Sequence, residues 1–162
     1  MSGDVMLRDI VESDIPIFYE QQLDPDAIAM AAFPCRDWET HRKHWTKVLA
    51  DDRNIKQAII FDGEVAGNIG VFGPPNEREI GYWIGKQYWG KGVGTLALKA
   101  MLIHVPERPL YAHVVKHNLA SLRVLEKCGF RIVGEENGVD VGGIVADEFT
   151  LRLDDDHGQA GE

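Results

Sequence analysis

Short apolar runs separated by turn residues dominate the chain, and their spacing predicts strands and helices in mixture. Val5–Arg8 and Lys56–Phe61 read as strands. Asp62-Gly63 is a hairpin signal, with Val65–Phe72 as the returning partner. The turn Gly73-Pro74-Pro75-Asn76 leads to another strand, Glu79–Ile84. Leu110–Val115 alternates as a strand, and Arg131–Glu136 and Asp147–Leu153 read as a last pair joined through a Gly138–Gly143 turn region.

Helical signals lie between these runs. Ser13-Asp14-Ile15-Pro16 offers an N-cap and a proline in the first turn of a helix. Pro25 and Pro34 bracket a short irregular or helical piece. Asp37 caps the next helix, whose Trp38, His41, Trp45, Val48 and Leu49 share one flank. Leu96–Ile103 is an apolar helical run ending near His104, and Asn118 and Gly129 punctuate a helix over Leu119–Cys128. The order β-α-α-β-β-β-α-β-α-β-β is mixed α/β. Without repeat or linker, it predicts a single domain over residues 1–153 and a polar, frayed tail over 154–162.

Composition narrows the function classes. The chain has 162 residues, enough for one real core, and a net charge of −9. That charge argues against nonspecific binding to nucleic-acid phosphates and is compatible with a cationic acceptor such as an amine. No apolar run reaches the ~18 residues of a membrane span, and the N-terminus carries no signal sequence. Two cysteines, Cys35 and Cys128, are too few for a disulfide scaffold or a cysteine-rich zinc site, so a reducing cytoplasm is expected. His41-x-x-His44 has helical spacing for two metal ligands but no third nearby, so no metal is expected.

The most specific chemistry lies at residues 78–95, Arg-Glu-Ile-Gly-Tyr-Trp-Ile-Gly-Lys-Gln-Tyr-Trp-Gly-Lys-Gly-Val-Gly-Thr. A strand runs into a loop with glycines at 90, 92 and 94, and a helix follows at once. Glycines let backbone N–H groups converge on a ligand, and a helix N-terminus adds about half a positive charge, so the combination suits a pyrophosphate. Gly85 to Lys91 fits a nucleotide-triphosphate loop, but the next residue is Gly92, which has no oxygen for magnesium. The G-x-G-x-G spacing also departs from the dinucleotide fingerprint G-x-G-x-x-G.

Trp89-Gly90-Lys91-Gly92-Val93-Gly94 resembles the acyl-CoA loop Q/R-x-x-G-x-G/A of the GNAT N-acetyltransferase superfamily, with Trp89 at the Gln/Arg position. The Tyr-Trp-Gly-Lys-Gly form is similar to the branch of ribosomal-protein alanine N-acetyltransferases. The segment from His117 to Phe130 also resembles that family, in which an Asn-x-x-Ser/Ala start and a Gly-Phe end bound a helix. The resemblance implies a mostly antiparallel sheet flanked by helices, with a splayed strand pair at the acyl-CoA site. It also implies acetyl-CoA as donor and a primary amine as acceptor, either a protein N-terminus or a small molecule. A homodimer is compatible with it. The rival class is a non-catalytic acyl-CoA sensor on the same fold.

The same resemblance assigns residues. Trp89, Gly90, Lys91, Gly92, Val93, Gly94 and Thr95 would hold the pyrophosphate. Backbone around Trp83 and Ile84 would hold the pantetheine arm, and Asn118 would hydrogen-bond the pantetheine or phosphate arm. Many relatives carry a tyrosine acid four residues before the helix-ending glycine; that position is Leu125 here, and Ser121 is the implied substitute. On a helical wheel Ser121 falls near the middle of the apolar face with Val124, Leu125 and Cys128. Its hydroxyl there needs either a backbone carbonyl or a reacting group as partner.

Transfer from a thioester to an amine needs a neutral amine, a polarised carbonyl and a stabilised thiolate. At pH 7 an α-amine is roughly a tenth neutral and a lysine amine about one part in 2,500. Glu79, at the head of the strand feeding the loop, is the base candidate; its alternative is a strand-end carboxylate paired with Arg78. Asp147 and Glu148 are fallback bases. Tyr82, Trp83, Tyr88 and Trp89 form an aromatic cluster by the loop, expected to be largely packing. Trp38 and Trp45 could line an acceptor pocket or simply pack a helix. His113 and His117 read as strand and loop residues, and Cys128 as a small core residue.

Overall fold

The computed structural model describes residues 4–34, 36–141 and 143–154. Cys35 and the tail beyond Asp154 lie outside them. Seven strands, β1 (Val5–Asp9), β2 (Ile55–Phe61), β3 (Glu64–Phe72), β4 (Glu79–Ile84), β5 (Leu110–Val115), β6 (Arg131–Val141) and β7 (Ile144–Leu153), form one sheet in the order β1-β2-β3-β4-β5-β7-β6. Five helices, α1 (Ile15–Gln22), α2 (Pro25–Ala31), α3 (Trp38–Ala50), α4 (Val93–His104) and α5 (Leu119–Lys127), complete the expected mixed architecture.

The β2 sequence explains why both sheet faces are covered. Ala58, Ile59 and Ile60 are consecutive and all buried. Successive strand side chains point to opposite faces. Ile59 therefore joins the larger core with Val93, Ala97, Leu98 and Met101 of α4 and Leu122 and Leu125 of α5. Ala58 and Ile60 meet Ile15 and Phe18 of α1 and Trp45 of α3 on the other side.

Every neighbouring pair is antiparallel except β4 and β5. Those two are parallel and bridged at one register pair, Glu79 with Tyr111. The amide of Tyr111 donates to the Arg78 carbonyl at 2.9 Å. Beyond this point the strands diverge, which is the splay that the sequence resemblance implies. Half of the β4 backbone groups point toward β5 by strand geometry, and the gap leaves them open to a ligand.

Two helix starts are placed within their expected segments, and one expectation shifts. The first helix starts at Ile15, with Asp14 in the N-cap position and Pro16 in the first turn. Asp14 is buried because its carboxylate receives both Arg8 guanidinium nitrogens, at 2.7 and 3.0 Å, and the Val11 amide at 2.9 Å. Pro25 opens a true helix, capped by Asp24. The last hairpin is longer than expected, because Gly138 is not a turn residue. It sits within β6 at φ +68°, where the register shifts between Glu136 and Val139, and its amide donates to Asp147 Oδ1 at 2.9 Å. A glycine that reads as a chain reversal is here a bulge that keeps the ladder going. Asp154 accepts from Arg131 at 3.0 Å and pairs with Arg152 at 2.8 Å.

Gly67 on β3 shows how tightly β3 and β4 are joined. A Cβ there would come within 2.0 Å of the Trp83 carbonyl oxygen, whereas one at Gly134 meets nothing within 4 Å. Gly67→Ala should therefore destabilise the protein by about 2 kcal/mol or more through forced strand separation. Gly134→Ala should stay within about 0.5 kcal/mol of the parent. Denaturant titration of both variants checks the contrast.

Candidate active site

The strand, loop and helix at 79–104 are built as their residue types dictate. Along β4, Ile80, Tyr82 and Ile84 face the core shared with α4 and α5, so Glu79, Gly81 and Trp83 face α1 and α3. A short 3₁₀ turn, Lys86–Tyr88, and two glycines with positive φ, Gly90 at +75° and Gly92 at +79°, carry the chain into α4. The left-handed backbone at both positions is what favours glycine there. Trp89 holds the loop to the strand, its ring N–H donating to the Ile84 carbonyl at 2.9 Å.

α4 begins without a side-chain cap. Its first amide in a helical bond is that of Leu96, which donates to Gly92. The amides of Val93, Gly94 and Thr95 precede it at the open helix start. They border a cavity of about 450 Å³, also lined by Trp83, Ile84, Trp89, Gly90, Gly92 and Asn118. Uncapped donors at a positive helix end, in a concavity of that volume, suit a pyrophosphate. This donor set fits the phosphate end of acetyl-CoA. Lys91 is exposed and does not line this cavity.

A second cavity of about 710 Å³ lies toward α3 and is lined by residues including Trp45, Lys56, Asn68, Glu79, His113 and Glu148. The two cavities share Ala31, Tyr82, Trp83, Asn118 and Ser121. They therefore meet beside the β4–β5 gap.

At that junction the Ser121 hydroxyl lies 2.7 Å from the Tyr82 phenol oxygen. This is the partner that Ser121 needs, and it is neither the backbone carbonyl nor a lone hydroxyl facing a ligand. Ser121 is also not central on its helix face. Leu122 and Leu125 are the buried pair of α5, while Ser121, Val124 and Cys128 are half-buried along its flank. Asn118 caps α5, accepting the Ser121 amide at 3.2 Å. Burial pushes the Tyr82 phenol up to about 12, so it keeps its proton at neutral pH. Sequence reading missed Tyr82 as part of the site. Its signal was the β4 alternation, which places position 82 on the α5 side.

Glu79 lines the second cavity and is not paired with Arg78. Alternation sends Arg78 the other way, where it is buried, donates to the Gly73 carbonyl at 2.9 Å and lies 3.4 Å from Glu107. Glu79 Oε1 instead sits 3.2 Å from His113 Nε2, and His113 Nδ1 lies 3.3 Å from the Thr150 hydroxyl. His113 thus orients Glu79, a role the sequence did not suggest. The fallback bases separate for the same reason of alternation. Glu148 lines the cavity; Asp147 does not, and its carboxylate is engaged at the Gly138 bulge.

The remaining aromatic and histidine candidates sort by contact. Tyr88 is buried and donates to Glu64 at 3.1 Å. Trp45 is both core and cavity wall, whereas Trp38 stacks on His41 outside the cavity lining. His41 is buried against the Ile15 carbonyl at 3.2 Å, and His117 lies 2.9 Å from the Ala29 carbonyl. Burial and the nearby Arg36 and Lys56 bring His44 down to about 4, so it is neutral at pH 7. Burial raises the Cys128 thiol. Among the described residues, no three His, Cys, Asp or Glu side chains are grouped to hold a metal, and no helix is long and apolar enough to cross a membrane.

Comparison with known proteins agrees with this geometry. Residues 4–131 match the acetyltransferase (GNAT) domain. A Bacillus subtilis (strain 168) protein named "Putative ribosomal N-acetyltransferase YdaF" is 30% identical over 114 residues, 65% of this chain and 62% of that protein. The chain thus matches about three fifths of that relative's length. Among solved structures, Mycobacterium smegmatis RimJ in complex with CoA-disulfide superposes with a TM-score of 0.78 at 23% identity, covering 98% of this chain and 84% of that one. Spermidine N-acetyltransferase from Vibrio cholerae, in complex with CoA and spermine, gives 0.81 at 15% identity, covering 93% and 95%. With the glycine loop, the splayed strands and a family match spanning most of its length, this chain belongs to the GNAT acetyltransferase family.

Proposed function

We propose that this chain is a cytoplasmic N-acetyltransferase that moves an acetyl group from acetyl-CoA directly to a primary amine. The observation that carries this reading is the meeting of two cavities at the Tyr82–Ser121 pair. One cavity has the donors for a pyrophosphate, and the other ends at a carboxylate, Glu79.

Bound acetyl-CoA supplies an activated thioester. The open amides of Val93, Gly94 and Thr95 and the Gly90–Gly92 loop, with Lys91 at its edge, would hold the phosphates. Backbone around Trp83 and Ile84, together with Asn118, would hold the arm leading to the junction. Glu79 takes a proton from the incoming ammonium, directly or through water, while His113 keeps its carboxylate turned to the cavity. The amine nitrogen then bonds to the acetyl carbon and the carbon–sulfur bond breaks. Ser121 delivers its proton to the leaving sulfur, the Tyr82 phenol, 2.7 Å away, replaces it, and the second proton of the acylated nitrogen passes through water to the tyrosinate. A tyrosine acid is thus supplied by β4 rather than by position 125 of α5. Such proton-transfer groups contribute about 10²–10⁴-fold.

Calorimetric titration with acetyl-CoA, with ATP–magnesium as control, tests the donor. Saturable micromolar binding of acetyl-CoA alone is expected, and its absence in folded protein would overturn the reading. Ser121→Ala, Tyr82→Phe and Glu79→Gln should each lower kcat by about 10²-fold while acetyl-CoA affinity stays within about twofold. Wild-type rates in all three would remove the proposed roles. Because Tyr82 titrates at about 12, the kcat profile should have no descending limb from tyrosinate between about pH 7 and 10. A limb there that disappears in Tyr82→Phe would overturn the upward shift of the Tyr82 phenol, though not its part in proton delivery.

A further inference from the structure

The acceptor-side cavity holds a cation with no obvious partner. Lys56 lies on β2 opposite Gly70 of β3, and Gly70 is in turn opposite Gly81 of β4. The two glycines form a floor without side chains. A Cβ at Gly70 would come 2.3 Å from Lys56 Cδ and 2.8 Å from Cε, and one at Gly81 would meet the Phe72 ring at 3.4 Å. The lysine stem therefore lies across the sheet in the space that glycine leaves. Its ammonium is 5.4 Å from the centre of the Trp45 ring and 5.5 Å from that of Phe72.

Within this arrangement the local charge is not balanced. Among the described residues, no carboxylate lies within salt-bridge distance of Lys56, while the cavity's Asp51 is engaged with Arg53 at 2.9 Å. Glu79 is engaged with His113, and Glu148, which also lines the cavity, is not within salt-bridge distance of Lys56. Burial brings the Lys56 amine down to about 8, which still leaves it mostly charged at neutral pH. Beside it on β3, Asn68 is 5% exposed and lines the same cavity, and its amide nitrogen is buried without a hydrogen-bond partner. A buried unsatisfied donor is costly, and an ammonium facing two aromatic rings without a counter-ion is incompletely compensated. Both groups are donors, so the missing partner is an acceptor with negative charge.

We propose that Lys56 and Asn68 receive a carboxylate carried by the amine acceptor. The acceptor class is then an amino acid or a peptide N-terminus bearing a nearby acidic group, not a polyamine. A polyamine with its second ammonium at this end of the cavity would face Lys56, where like charges repel. The glycine floor runs from Lys56 to Gly81, about two strand spacings or ~10 Å between Cα atoms, and Glu79 lies on the same face about 7 Å further along β4. A short acceptor can reach both ends because the lysine stem covers part of that distance. This inference rests on the acetyltransferase reading for its meaning, but the carboxylate site is testable without turnover.

The test compares kcat/KM for free L-amino acids with their carboxamides, for peptides amidated at the C-terminus with Asp or Asn at the second position, and for spermidine. The first pair isolates an α-carboxylate and the second a side-chain carboxylate. Wild-type protein should prefer a carboxylate over its amide by about 10-fold or more in one arm, the size of a charge-assisted hydrogen bond. Lys56→Met, which keeps the apolar stem, should bring that ratio close to one through KM. A wild-type ratio near one, an unchanged ratio in Lys56→Met, or a preference for spermidine would overturn the proposal.

A second readout needs no catalysis. The titration midpoint of Lys56, followed by NMR of labelled lysine, should rise when N-acetyl-L-alanine or an N-acetylated, amidated Ala-Asp peptide is added, and should not move with the corresponding amides. No shift with either carboxylate would overturn the proposal. A shift without turnover of any amine would uphold the carboxylate site and instead overturn the acetyltransferase reading.

Discussion

The single bridge between β4 and β5 is the constraint on which the site depends. β4 is fixed on one side by a six-pair antiparallel ladder to β3, and β5 by a six-pair ladder to β7. The two halves of the sheet each have their own ladder, share one core beneath α4 and α5, and are bridged where Glu79 meets Tyr111. From that pivot the strands part, and backbone groups that would otherwise be spent on a ladder become available to a ligand. Unpaired backbone groups are costly in a buried core, so a gap of this kind persists only where it opens onto cavities. Here it opens onto one on each side.

Each cavity is shaped by missing side chains as much as by those present. On the α4 side, glycines at 90 and 92 adopt backbone conformations that other residues resist, and the helix starts with its first amides open. On the α3 side, Gly70 and Gly81 clear the sheet surface for the Lys56 stem and the Phe72 ring. The polar residues that remain are held by close neighbours: Ser121 by Tyr82, Glu79 by His113, and Asn118 by the amide it caps. Such contacts fix side-chain positions before any ligand arrives, which lowers the entropy of forming a reactive arrangement.

Much of the fold was legible because local rules and tertiary packing agree. Asp37 caps α3 through the Thr40 amide, the Asp62-Gly63 signal joins β2 to β3, and Asn118 and Gly129 bound α5 as their residue types demand. The departures arise where a distant partner competes with a local preference. Asp14 stands at the N-cap of α1, but its carboxylate caps no helix amide because Arg8 on β1 and the Val11 amide engage it. Gly138 suits a turn, but the carboxylate of Asp147 across the ladder makes it a bulge.

The sequence by itself determined the order of elements, the glycine loop and its helix, and the residue types on each strand face, because these depend on backbone conformation and on spacings of a few residues. Pairings across the sheet were decided only by the tertiary structure. Tyr82 meets Ser121 across 39 positions, His113 meets Glu79 across 34, and Lys56 crosses Gly70 from the neighbouring strand. No local pattern encodes such distances. They follow from the register of the ladders, which is set by how both faces of the sheet bury their apolar residues at once.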